Sequence, residues 1–515
     1  MKPLSKACWL VLLIAVAFSL QASAFQQAID TAAIDAVVQD TMRAWDVPGA
    51  SLAIVKDDRV IYLKGFGVRE LGSQQPVTPD TLFAIASTTK AFTTTAMAML
   101  VDEGKINWDD PVRKHLEFFR LADPLASENV TLRDLVCHRT GLSRNDLLWE
   151  ESPWGREEIL RRIGWVKLNR PFRSTYQYNN IMFLAAGEVV GRTSGGSWES
   201  FIQSRIFDPL GMSTANFSIT QVLKSSDHSS PHRKNKAGKV EAISWVNVDN
   251  IGGAGCINAS ARDMSRWVRF QLGDGIFEGK RLVSSTNLAE THTPQMVIRM
   301  DDQAMALNPY TTQVTYGMGW IIQDYHGQTL ISHTGGLNGF RARVVLVPRV
   351  KLGMAILTNS SVGSSGASMH TAATNSLLDL LLGFQKTDWN SLLAEQARKV
   401  EAAEKARLDE RETKRQKETH TSHDLAAYIG TYLEPAYGTV TVSLADGSLL
   451  LQWSSFEAKL DHFHFDAFSV EGPSLLENEQ VVFTQGRDGD IAGLNFLGLE
   501  FVKQPSPVYR SGQSK

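Results

Sequence analysis

Leu82-Phe83-Ala84-Ile85-Ala86-Ser87-Thr88-Thr89-Lys90-Ala91-Phe92, continuing as TTTAMAMLVDEG to Gly104, is the stretch on which the fold turns. An apolar run ends at a serine, and a helix-compatible segment begins at once. On a helix, positions i and i+3 share a face, so Lys90 lies beside the Ser87 hydroxyl. A free serine is a poor nucleophile, and a lysine desolvated at the root of a helix binds its proton less tightly and can take the hydroxyl proton. The helix start adds backbone N–H donors where an oxyanion would form. No other serine in the chain has a lysine three residues later. Read alone, the pattern is a weak signal, since two fixed positions recur by chance and a serine near a helix N-terminus is usually just a cap.

Upstream, Gly49 to Gly67 reads as a hairpin turning at Lys56-Asp57-Asp58-Arg59, so a sheet starts there. Before it, Ile34, Val37, Val38, Met42 and Trp45 recur at helical spacing within Ile29 to Trp45. Between Ser87 and Pro309 the pattern is mainly helical and loopy, an insertion. Strand signals return at Tyr316–Gln323, Thr329–His333, Arg341–Val347 and Leu352–Asn359, and a helix over Met369–Phe384 completes this part. Leu393 to Lys417, dense in Ala, Glu, Lys and Arg, reads as a solvated helical linker. Tyr428 to Phe501 carries short alternating strands broken at Tyr437-Gly438, Asp446-Gly447 and Asp488-Gly489, an antiparallel β-barrel-like unit. The expected fold class is therefore α+β: an antiparallel sheet flanked by helices with a helical insertion, then a small β domain.

Two further motifs lie where chemistry could use them. Tyr178-Asn179-Asn180 sits where a loop enters an apolar helix. A tyrosine there can shuttle a proton if a nearby cation holds it as phenolate, and Asn180 offers an amide to a substrate carbonyl. His333-Thr334-Gly335-Gly336 ends a strand, and its glycines let backbone approach a ligand, or simply turn the chain.

In this order and these settings, S-x-x-K, Y-x-N and H-T-G resemble the serine β-lactamase and penicillin-binding protein superfamily. The likeness is nearest to the class C β-lactamase-like group of DD-carboxypeptidases, D-aminopeptidases and esterases. Leu132–Leu142, Ala254–Val268 and Tyr316–Trp320 are similar to framework segments of that group. The resemblance implies a β-lactamase/transpeptidase-like fold with Ser87 as nucleophile, Lys90 as its activator and Tyr178 as catalytic tyrosine. It also implies that Asn180, His333, Thr334, Gly335 and Gly336 bind substrate, the backbone N–H groups of Ser87 and Gly336 forming the oxyanion hole. Dedicated β-lactamases usually carry lysine where this chain has His333, a group largely neutral at pH 7, so weak or absent β-lactam hydrolysis is expected. The implied activity is hydrolysis of a small amide or ester, such as a D-amino-acid peptide, through an acyl-serine, with no cofactor. A non-hydrolysing binding or scaffold protein is the alternative, disfavoured by a complete nucleophile and base.

At 515 residues, 43% apolar and 21% charged, the chain is ordinary globular protein with room for several domains. Its formal charge of −3 gives no basic excess for nucleic acid. Lys2 and Lys6, the apolar run Ala7–Leu20 and Ala22-Ser23-Ala24 read as a signal peptide over residues 1–24, with a mature start at Phe25 and no stable membrane span thereafter. Export to the periplasm or medium is expected. The domains expected are 25–385 catalytic, 386–422 linker, 423–505 β and 506–515 tail. The mature cysteines are Cys137 and Cys256, and one bridge between them is left open. His462, His464 and Asp466 have strand spacing compatible with a metal, yet alternation with buried Phe463 and Phe465 explains them better, and no metal is expected. The expected partner is a small-molecule or short-peptide substrate. The β domain resembles one of unassigned role that follows this catalytic unit, which either closes over the site or holds protomers together as a homo-oligomer.

Overall fold

A computed structural model describes residues 30–505 except 365, 473–475 and 477; the signal-peptide segment, its cleavage point before Phe25 and the 506–515 tail lie outside the described residues. The labelled elements follow chain order. They begin with α1 (Thr31–Ala44), β1 (Gly49–Lys56), β2 (Arg59–Gly67), α2 (Thr89–Asp102), α3 (Asn180–Ser194) and α4 (Ala261–Leu272). Next come β3 (Met296–Ile298), β4 (Val314–Tyr316), β5 (Ile321–Tyr325), β6 (Gln328–Leu337), β7 (Phe340–Val347), β8 (Leu352–Thr358), α5 (Met369–Leu382) and α6 (Trp389–Thr413). Between α2 and β3 the chain is mostly short helices and loops, as the insertion reading anticipates.

The strands form one sheet in the order β2-β1-β8-β7-β6-β5-β4-β3, every pairing antiparallel. Because side chains alternate across a strand, β1 sends Leu52 and Ile54 to one face and Ala53 and Val55 to the other. The first face is covered by α1 and α5 through Ile34, Val38, Leu377 and Leu378. The second receives α4, whose Trp267 stacks on Phe92 of α2 at 3.7 Å. From Thr89 to Leu100 every residue of α2 is buried, so this helix runs through the middle of the domain.

Two departures from the expected strands bear on the site. The run expected as one strand over Tyr316–Gln323 is β4 and β5, interrupted at Gly317–Trp320. Gly319 has φ +76°, and a Cβ there would meet the Lys90 backbone at 3.0 Å, so the interruption folds this segment onto the start of α2. The strand expected to stop at His333 continues to Leu337, so Gly335 and Gly336 lie within β6 and the turn falls at Asn338-Gly339.

Beyond α6, of which Trp389 and Leu393 are the buried residues, eight sequential antiparallel strands close into a barrel. They are β9 (Gly430–Glu434), β10 (Gly438–Ala445), β11 (Ser448–Trp453), β12 (Phe456–His464), β13 (Ala467–Glu471), β14 (Gln480–Gln485), β15 (Ile491–Phe496) and β16 (Leu499–Lys503). Tyr432↔Lys503 and Leu433↔Val502 join its ends, and Tyr428, Tyr432, Phe468 and Phe483 pack together inside. The alternation expected for His462–Asp466 is broken by an irregular register between His462 and His464 and by Phe465, which has φ +47° and is 55% exposed. Asp466 instead accepts from Ser422 and Tyr428, and His464 Nδ1 accepts from the Gln416 N–H. Cys137 and Cys256 are free, buried thiols. Among the described residues no helix is long and apolar enough to cross a membrane.

Candidate active site

Ser87 occupies a 3₁₀ turn, Ala86–Thr88, that leads directly into α2. In such a turn i and i+3 nearly eclipse, and Lys90 Nζ lies 3.0 Å from Ser87 Oγ. Ala86 has φ +45°, a conformation that costs a non-glycine residue of order 1 kcal/mol and presents Ser87, half-buried, to the cleft. Behind it, a Cβ on Gly335 would come within 2.1 Å of the Ile85 carbonyl oxygen, so β6 and the serine turn meet backbone to backbone. Gly336, the next residue, is exposed.

Lys90 is fully buried and all its contacts are neutral: Nζ lies 2.7 Å from Asn180 Oδ1, 2.8 Å from the Ala254 carbonyl and 3.0 Å from Ser87 Oγ. Burial, with the Arg144 cation adding to it, pushes its pKa well below the usual lysine range. A neutral amine has two N–H donors and one lone pair. Asn180 Oδ1 and Ala254 O can only accept, so they take both donors and leave the lone pair facing the Ser87 hydroxyl.

Tyr178 reaches this group from the loop before α3. Ser87 lies near enough to its hydroxyl to lower the phenol pKa, and its ring lies 4.8 Å from Lys90 Nζ and 5.1 Å from the Arg144 guanidinium. Burial raises the phenol pKa more than Ser87 and Arg144 lower it, so the resting group is a neutral phenol. The phenolate considered from sequence is absent at rest, because burial outweighs the Arg144 cation beside the ring. Asn180 is the first residue of α3, capped by Asn179, whose side chain accepts from the Met182 N–H. The amide expected to face a substrate carbonyl is engaged on both sides, Oδ1 with Lys90 and Nδ2 with Asp146 at 3.0 Å.

His333 is buried, and its hydrogen bonds define a tautomer. Nδ1 donates to the Thr334 carbonyl at 2.7 Å, and Nε2 accepts from the Tyr316 hydroxyl at 3.1 Å. Burial pushes its pKa down to about 3, so it brings no positive charge to the cleft at neutral pH. Thr334 is half-buried beside it on β6.

Sequence reasoning did not single out several residues that build this cluster. His138, in the left-handed conformation at φ +58°, accepts the Asn179 N–H on Nδ1 at 3.1 Å and packs against the Tyr178 ring at 4.3 Å. It thereby fixes the backbone that carries Tyr178 and Asn180. Asp146 accepts from Asn180 and from Trp149 Nε1 at 2.8 Å, while pairing with Arg144 at 2.6 Å. His138 lies inside the framework stretch Leu132–Leu142, but nothing in its spacing marks a contact with residues forty positions away. Among the described residues no group of His, Cys, Asp and Glu could hold a metal ion.

This geometry can be set beside known proteins. The chain is 28% identical over 422 residues to unguisins hydrolase ungD' of Aspergillus campestris, covering 79% of this chain and 76% of that protein. The octameric penicillin-binding protein homologue of Pyrococcus abyssi superposes with a TM-score of 0.59 at 22% identity, over 92% of this chain and all of that one. D-amino acid amidase of Ochrobactrum anthropi SV3 does so at 0.57 and 20% identity, over 68% of this chain and 98% of that one. Residues 414–507 match a domain of unknown function, DUF3471. The β-lactamase family model matches residues 34–378, and the chain belongs to that family.

Proposed function

We propose that this protein is an exported serine hydrolase that cleaves a small amide or ester, with D-amino-acid peptides and amides the favoured class, through an acyl-Ser87 intermediate. One observation carries the proposal: a buried lysine, driven neutral, whose only uncommitted valence faces a serine hydroxyl 3.0 Å away. As Ser87 Oγ attacks the carbonyl carbon, Lys90 takes its proton. The new alkoxide is held by the N–H groups of Ser87 and Gly336. Tyr178, beside Ser87, gives its phenolic proton to the leaving nitrogen or oxygen and is reprotonated by Lys90, so the net transfer is one proton from serine to the leaving group. Water then attacks the acyl-serine, losing its proton along the same path in reverse.

The name of the hydrolase from Aspergillus campestris is in keeping with hydrolysis, and that of the amidase with amide cleavage. A neutral His333 leaves the strand without the cation that a β-lactam carboxylate would meet, which supports weak or absent β-lactam turnover. Lys2, Lys6, Ala7–Leu20 and Ala22-Ser23-Ala24 support export, with 25–385 as the catalytic unit. Self-association, suggested by the octameric homologue, belongs to the same proposal and is read by light scattering.

A fluorophosphonate tests the central step. Intact-mass analysis should show one adduct on the native chain and none on Ser87→Ala, and a panel of D- and L-amino-acid amides, short esters and a chromogenic cephalosporin should show turnover of amides or esters. Absence of a Ser87-dependent adduct overturns the proposal.

A further inference from the structure

Most of the groups around Tyr178 carry no charge at rest. Lys90 Nζ, 4.8 Å from the ring centre, and His333, whose ring lies 6.3 Å away, are both driven neutral by burial. His138, at 4.3 Å, is held neutral in the same way. Ser87, Tyr176 and Tyr316 add only hydroxyl groups, and burial pushes the pKa of both phenols up. Two ions remain, Arg144 and Asp146, and they are paired: Arg144 Nε donates to Asp146 Oδ2 at 2.6 Å. Glu150 acts on the arginine from the same loop. With its guanidinium 5.1 Å from the centre of the Tyr178 ring, Arg144 is the one resting cation against this tyrosine among the described residues.

The segment that carries Arg144 is fixed from three sides. The Ser143 carbonyl accepts from Asn179 Nδ2, and Asn179 stands between Tyr178 and Asn180 in the chain. Asn145, in the left-handed conformation at φ +52°, donates from Nδ2 to the Tyr437 hydroxyl at 2.7 Å. Asp146 accepts from Asn180 Nδ2 at 3.0 Å and from Trp149 Nε1 at 2.8 Å. The arginine itself is held by Nε alone. Its two terminal nitrogens have no hydrogen-bond partner among the described residues, and its side chain is 60% exposed. A guanidinium in contact with water keeps its proton at any working pH.

In the cycle described above, Tyr178 loses the proton that the leaving nitrogen or oxygen gains. Its O–H bond breaks, the electron pair stays on the phenolic oxygen, and the negative charge persists until the Lys90 ammonium returns a proton. Burial makes that anion costly. We propose that Arg144 is a positioning residue for this step: its guanidinium, laid against the Tyr178 ring, stabilises the transient phenolate and so favours substrates whose leaving group must be protonated, amides above activated esters. The inference rests on the hydrolase reading above. Neutral His333 cannot supply this charge. The same guanidinium acts on Lys90 in the complementary sense, disfavouring its ammonium form at rest and so keeping the base ready.

The test compares the full native chain with Arg144→Gln, which keeps a donor for Asp146, and Arg144→Lys, which keeps the charge; melting temperatures check that all three fold. The p-nitrophenyl ester and the p-nitroanilide of D-alanine share one acyl group, but p-nitrophenolate leaves without a proton whereas p-nitroaniline needs one. Arg144→Gln should lower kcat/KM for the anilide by ~10-fold or more and for the ester by less than ~3-fold, and Arg144→Lys should recover most of the loss. A residue that merely oriented Asp146 would move both substrates together and would not be rescued by lysine. Fluorophosphonate labelling of Ser87 gives a second reading, since fluoride also departs unprotonated. The acid limb of its pH profile should move up by ~0.5 unit or more in Arg144→Gln and stay within ~0.2 unit in Arg144→Lys. Equal losses on ester and anilide overturn the role of Arg144, and where the anilide is not turned over, a labelling limb that does not move does so. A native chain that never labels at Ser87 refutes the hydrolase reading instead.

Discussion

Replacing Lys90 by Met isolates the group on which the chemistry depends. Methionine preserves the length of the apolar stem, which lies among Tyr178, Phe183 and the α2 core, and removes only the amine. Asn180 Oδ1 and the Ala254 carbonyl lose their donors, each at a cost of about 1–3 kcal/mol. The variant also no longer buries an amine, which offsets part of this, so the expected net change at pH 7 is within about 2 kcal/mol. Activity should suffer far more. Without its base, Ser87 must lose its proton unaided, a defect of ~10³-fold or about 4 kcal/mol in the barrier. Acylation by a fluorophosphonate, followed by intact mass, reads this directly, and the native rate should rise with pH to a plateau reached below the ordinary lysine value of 10.5. Stability gives an independent reading. Because burial lowers the folded-state pKa, between that value and 10.5 the unfolded chain carries a proton that the folded chain lacks. Unfolding free energy therefore rises with pH through this window, by at most about 1.4 kcal/mol per unit, and the native chain gains on Lys90→Met until pH passes 10.5. Denaturant titrations at pH 7 and 10 measure that gain. If Lys90→Met acylates Ser87 within 10-fold of the native rate, or the two stabilities move in parallel between those pH values, the neutral-base argument is wrong.

Buried neutral histidines make the fold acid-labile: His292 and His333 are pushed down to about 4 and about 3, and His138 and His370 well below the usual value of 6.5, all by burial. Each adds up to about 1.4 kcal/mol per pH unit that is present above pH 6.5 and lost as pH falls toward its folded value, so urea midpoints should drop steeply from pH 7.5 to 5, and a flat profile would contradict the assignment. Gly335→Ala should cost more than about 3 kcal/mol and abolish Ser87 labelling, because its Cβ collides with the Ile85 carbonyl, whereas Gly336→Ala, whose nearest neighbour is an arginine side chain at 3.4 Å, should stay within about 1 kcal/mol; equal effects would refute the backbone-contact argument. Tyr437→Phe removes the acceptor of the Asn145 hydrogen bond and should lower stability by about 1 kcal/mol in calorimetry without changing fluorophosphonate labelling; lost labelling would place that hydroxyl in the chemistry itself.

What could be read from the chain and what could not divide along a physical line. Hairpin, helix and barrel strands follow from local rules: a continuous apolar, buried run in β1, period-2 burial in β10, turn dipeptides at Tyr437-Gly438 and Asp446-Gly447, and a helix begun just after the serine. Ser87 and Lys90 were legible for the same reason, since three residues on one turn set their distance. Tyr178, Asn180 and His333 could be placed beside them only through a family pattern, because nothing local dictates a meeting across such sequence separations. The resting state of the site was harder still. A neutral Tyr178 and a neutral His333 follow from burial, a property of the assembled fold, and the phenolate considered from sequence gives way once burial is seen to hold both Tyr178 and Lys90 neutral. The same limit holds for Trp149, Trp154 and Trp245, which belong to loops of irregular backbone: their placement is set by Asp146, Arg162 and a barrel hairpin almost three hundred residues away, contacts between distant segments that no window of sequence contains.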